Sequence, residues 1–198
     1  MANSARYNKL KSRIKFIENN LLPDEKITGN YTKKEKDLIR GYILLVHAEI
    51  EAYFEDIAKQ VVSNAKSKWI ATRQKSNCIL SIIAFCSHEI NWENDPSKND
   101  IKHRINRTTG HYTNKLNSNH GIKSNNVKNI LLPLGIEESQ LDQTWLNTMD
   151  DFGAKRGSIA HSTHSVQNPI DLKTEKDRIN IQIIPEIKDL DSIIKALK

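Results

Sequence analysis

Apolar residues recur along the chain mainly with the 3.6-residue period of amphipathic helices. Tyr7, Leu10, Ile14, Ile17 and Leu21 lie along one face of a helix predicted from about Ser4 to Leu21. Leu22-Pro23-Asp24 ends it, and Thr28-Gly29-Asn30 completes the loop. Thr32, followed three residues later by Glu35, has the form of a capping box and opens the longest periodic stretch, which runs to about Trp69. Its stripe reads Leu38, Tyr42, Val46, Ile50, Tyr53, Ile57 and Val61. Unbroken, a helix of that length spans on the order of 50 Å. Ser76 is placed to cap a third helix, Asn77 to about Ser87.

Between His88 and Asn125 the period fails and Asn, Ser, Lys and His accumulate. Residues 88–125 therefore read as an irregular, mobile insertion with little core potential, helical at most around Ile101–Arg107. Short and long helices follow at Asn126–Leu132 and at about Leu141–His161, the latter burying Trp145, Met149, Phe152 and Ile159. Residues 170–198 read as a C-terminal helical extension carrying Ile179, Ile183, Ile187, Leu190, Ile194 and Leu197. Pro185 suits the first turn of its last helix, and the β-branched run Ile179–Ile184 leaves a strand open there. The expected fold is one all-α bundle over residues 1–198, with a long second helix.

Composition sharpens this picture. Hydrophobic residues make up 37% and charged residues 27% of 198, enough for one sizeable core. Seven glycines and five prolines are too few for a turn-dense β-sandwich. No apolar run approaches the roughly 18 residues of a membrane span, and the start of the chain lacks an apolar signal core. With Cys78 and Cys86 as the only cysteines, the expectation is a reduced, cytoplasmic protein with buried thiols. The net charge is +6, and its distribution matters more than its size. Ile57–His88 holds five basic residues and no acid, and Ile101–Ile136 holds six and no acid. Such segments either neutralise the phosphates of a nucleic acid or form a solvated polar surface; Lys102, Arg104, Arg107 and Lys155 are the candidate nucleic-acid contacts, with Tyr112 the one stacking surface in its segment.

Phosphate-loop, nucleophile-elbow and zinc-protease motifs are absent from the sequence. His161 and His164 stand three apart, but no carboxylate or cysteine nearby completes a metal site, so neither metal nor cofactor is expected. Gly153, Gly157, Ala160 and His164 recur at helical spacing, a small-residue stripe suited to close approach of another helix, within the bundle or between subunits. Two glycines in a helix cost about 1 kcal/mol each relative to alanine. On the long helix Arg40, Leu44, His47 and Glu51 share roughly a 60° arc, so Glu51 either pairs with His47 or Arg40 or faces a site.

Arg156-Gly-Ser-Ile-Ala-His161 resembles the R-x(4–6)-H motif of the HEPN superfamily, small α-bundles that are often metal-independent endoribonucleases. Upstream, Ile43–Phe54, with Glu51-Ala-Tyr-Phe, resembles the long helix of RiboL-PSP-type HEPN nucleases. The resemblance implies Arg156 as transition-state stabiliser, His161 as general acid/base and Glu51 as the acid that orients them. It implies Ser158, His47, Arg40 and His164 in support. It also implies RNA as substrate, a homodimer with a composite site, and a toxin or antiviral effector held by an antitoxin or other regulatory partner. Imidazole can move protons near neutral pH, and guanidinium can stabilise the charged phosphorane. Residues five apart on a helix point about 140° from each other. Either the helix loosens at Gly157, or Arg and His serve opposite sides of a dimer cleft. Gly157 itself stands where the family commonly has Asn, Asp or His. That departure fits the alternatives: a non-catalytic RNA- or nucleotide-binding HEPN module, or a helical dimerisation protein.

Overall fold

Local capping sets where the helices begin. The computed structural model of the chain describes residues 2–96, 98–161 and 170–197. Ser4 Oγ accepts the Tyr7 N–H at 3.0 Å and starts α1 (Ala5–Leu21). Thr32 and Glu35 form the expected reciprocal box at the head of α2 (Lys33–Thr72), a helix of about 60 Å. Ser76 caps α3 (Asn77–Cys86), Asp100 caps α4 (Ile101–Ser118), and α5 spans Ser124–Leu131. Asp142 receives the Trp145 N–H at 2.7 Å in the first turn of α6 (Gln143–His161). The chain ends in α7 (Leu172–Asp177), a π-helical turn (Arg178–Ile183) and α8 (Ile184–Ala196), with Pro185 in the first turn of α8. Among the described residues the fold is all-α. The β-branched run Ile179–Ile184 is helical there, because Ile179, Ile183 and Ile184 all turn into the core.

Long α2 is the axis of the bundle. Its buried residues cover a broader face than a single stripe, because α1 packs on one side and α3, α4, α5 and α6 pack elsewhere. Ile39 and Val62, rather than Leu38 and Val61, are therefore the fully buried partners at its ends. Buried Asp191 on α8 ties three helices together: it accepts from Ser4 N at 2.8 Å and Tyr53 OH at 2.9 Å.

Residues 88–125 correct the expected architecture: most of this stretch is regular, and α4 is a core helix of 18 residues. Ile105, Thr108, Thr109, Tyr112 and Leu116 are its buried face. Thr108 and Thr109 donate their hydroxyls to the carbonyls of Arg104 and Ile105, each at 2.8 Å, so these polar side chains are satisfied inside the bundle. Tyr112 is 1% exposed and donates to the Ile130 carbonyl at 2.7 Å. It is a packing residue, not a surface for stacking bases.

Candidate functional site

Helix α6 crosses α2 in the antiparallel sense, with Trp145 against Phe54 and Phe152 against His47. One turn beyond Phe152, Arg156 comes near enough to His47 for its charge to act on the imidazole. His47 is 3% exposed, and its Nδ1 has no hydrogen-bond partner among the described residues. Burial, followed by the Arg156 charge, pushes the imidazole down to about 4. At neutral pH His47 is therefore uncharged. Glu51 Oε2 lies 3.6 Å from its Nδ1, too far for a hydrogen bond, and with a neutral ring the two form no ion pair.

The strongest bond of Glu51 goes elsewhere. Its Oε1 accepts the backbone N–H of Gly121 at 2.6 Å, pinning the loop after α4 onto α2. Gly121 sits at φ +108°, a conformation that side chains rarely adopt, so glycine suits this point of contact. Asn126 holds the same loop through the Asn119 amide at 3.0 Å and the His120 carbonyl at 3.1 Å, and Asp150 on α6 accepts from Ser124 N and Oγ at 2.8 Å. The fixed loop presents two basic side chains that the sequence gives no reason to single out. The exposed imidazole of His120 has Nδ1 4.0 Å from Glu51 Oε1. Lys123 lays its stem across Gly153, where an added Cβ would come within 2.8 Å of its Cγ. Their one signal in the sequence is membership of the acid-free segment Ile101–Ile136.

The stripe of small residues thus divides. Gly153 admits Lys123 of its own chain, whereas none of the described residues comes within 4 Å of a Cβ added at Gly157, and Ala160 is exposed. Gly157 does not loosen α6, which stays α-helical through His161. Arg156 is half-buried and His161 exposed at the last turn. Neither forms an ion pair with Glu51 among the described residues, because the Gly121 N–H takes one carboxylate oxygen and His47 stands beside the other.

The remaining candidates scatter. Arg40 reaches Asp37 at 2.8 Å, at the start of α2. Ser158 is exposed on α6, and His164 lies outside the described residues. Lys155 is engaged within the chain: its ammonium is bound to the carboxylate of Glu175 on α7, which is 1% exposed. Arg104 stacks 4.4 Å from the Trp92 ring centre and Arg107 reaches Asp95 at 3.3 Å, so both brace the loop before α4; Lys102 is exposed. Cys78 and Cys86 are free and buried, and burial pushes the Cys78 thiol up to about 12. Among the described residues no group of three His, Cys, Asp or Glu side chains could hold a metal ion, and no helix is long and apolar enough to cross a membrane.

An all-α bundle built on one long helix, with an arginine–histidine motif late in the chain, defines a HEPN-type domain. The family model RiboL-PSP-HEPN matches residues 5–196, and the chain belongs to that family. Comparison with curated proteins and with solved structures finds no match. HEPN domains of this kind act as ribonucleases or as nucleotide-binding modules.

Proposed function

We propose that the chain is a metal-independent endoribonuclease acting at a composite site in a homodimer. The observation that supports this reading is the course of α6. The helix is continuous from Arg156 to His161, so the two side chains diverge by about 140° and stand about 7.5 Å apart along the axis. One chain alone is poorly placed to bring both to a single phosphate. A two-fold axis near Gly157, which none of the described residues crowds, supplies two arginines and two histidines in one cleft.

There one His161 takes the proton of the ribose 2′-OH while that oxygen bonds to phosphorus. The P–O5′ bond breaks, and the partner's His161 protonates the departing 5′ oxygen. Arg156 donates to the non-bridging oxygens as charge builds on them. Neutral His47 leaves the Arg156 charge without a second cation beside it. Glu51 is a positioning residue that works through the Gly121 loop. The products are a 2′,3′-cyclic phosphate and a 5′-OH end. Such an activity endangers its own cell, which fits a toxin or antiviral effector restrained by a partner protein.

The test is cleavage of a single-stranded RNA in excess EDTA by wild type and His161→Ala. Cleavage that persists in EDTA, leaves cyclic-phosphate ends and vanishes in the variant supports the reading. RNA or nucleotide binding without cleavage favours the non-catalytic module, for which the observation is Gly157 at the motif's usually polar position.

A further inference from the structure

The two acid-free stretches are far apart in sequence but adjacent in the fold. Glu51 of α2 meets Gly121, just beyond the end of α4, while residues 59–66 of α2 face residues 109–113 of α4. The helices therefore run antiparallel, and between them lies a groove of about 240 Å³. Lys59, Ser63 and Lys66 line one wall, and Thr109, Gly110 and Thr113 the other. No carboxylate lines it.

We infer that this groove is a track for the sugar–phosphate backbone of a single-stranded RNA, leading to the site proposed above and resting on that reading for its substrate. Among the described residues Lys66 and the Ser63 hydroxyl have no partner, and Lys59 meets Glu55 at 3.3 Å in a half-buried pair whose lysine side chain is 37% exposed. Solvent still reaches that ammonium, which leaves it open to a second anion. The two lysines are two turns apart, about 10 Å along α2, so they reach different phosphates of one strand. Lys59 lies about 12 Å along the same helix from Glu51, within about 80° of its direction, so the track continues toward the loop of His120. Gly110 weakens the interior of α4 relative to alanine, yet none of the described residues lies within 4 Å of a Cβ placed there. Packing does not call for that glycine; a strand lying close along the groove does. The groove has no aromatic wall, so it holds phosphates and does not read bases.

The probe is a fluorescent 12-nucleotide 2′-O-methyl RNA, which lacks the nucleophile and cannot be cleaved. Its binding is followed by anisotropy from low to moderate KCl. The variant Lys59→Gln/Lys66→Gln should bind about tenfold more weakly at low salt, with the salt slope reduced by about 1.4 for two lost contacts. Gly110→Glu, which adds a carboxylate to the groove wall, should weaken binding to a similar degree, and Gly110→Ala, which adds only a methyl against the strand, should weaken it less and leave the salt slope unchanged. Unchanged affinity and slope in both charge variants overturn the proposal, as does a wild type that does not bind the probe. Because the probe is inert, a protein that binds it through the groove but cleaves no RNA upholds the track and removes the nuclease reading. A protein that cleaves RNA while the double variant binds as wild type does the reverse.

Discussion

Replacing Lys155 by methionine should cost far more than loss of a surface charge. Lys155 binds Glu175, whose carboxylate is 1% exposed, and Arg178 stands by at 3.8 Å. Lys155→Met keeps the aliphatic stem but leaves the buried anion with only the distant guanidinium. Breaking a buried pair from one side costs about 3–5 kcal/mol. The remaining arginine puts the expected loss near the lower end, about 3 kcal/mol, or about 6–12 °C in Tm for a chain of this size. Thermal melts of wild type and variant at pH 8 measure that loss. Lys155→Met/Glu175→Gln, which removes both charges, should melt above Lys155→Met. A single variant within 2 °C of wild type would refute the view that this clamp holds α6 against α7.

Two further outcomes follow from the same geometry. His47 is held neutral, from an ordinary value of 6.5 down to about 4, so its contribution to stability is complete above 6.5 and is lost progressively toward pH 4, up to about 3 kcal/mol. His47→Phe should show a flatter pH–stability curve across that window in denaturant titrations; parallel curves would contradict the assignment. Gly157→Leu points into open space and should melt no lower than wild type, helped by up to about 1 kcal/mol of helix propensity. Light scattering should nevertheless show it shifted toward monomer, with RNA cleavage falling in proportion; an intact dimer would remove Gly157 from the seam.

What the sequence revealed was mostly local. Ser4, Thr32 with Glu35, and Ser76 are caps whose partners lie three residues away, so their helix starts are legible without the fold. Helix α4 was hidden because threonines occupy core positions that a period search expects to be apolar. Their hydroxyls are satisfied by carbonyls three or four residues back, which only the folded helix reveals. At the site, the Arg156–His161 spacing and Glu51 could be singled out from motif and resemblance. The bond from Gly121 to Glu51 spans 70 residues, and no pattern in either segment announces it. His120 and Lys123 consequently stayed anonymous among the basic residues. The charge of Lys155 was visible, but its buried partner on α7 was not.

The composite site is tested most directly by diluting the wild type with an inactive protomer. His161→Ala is expected to lose cleavage of single-stranded RNA in EDTA. Mixed with wild type and allowed to exchange subunits, it forms heterodimers that carry both arginines but one histidine. If one cleft uses the imidazoles of both protomers, the reading that the continuous α6 and the divergence of about 140° favour, only wild-type dimers cleave, and the rate falls as the square of the wild-type fraction. A rate that falls in direct proportion to that fraction, with subunit exchange verified, would contradict the composite site.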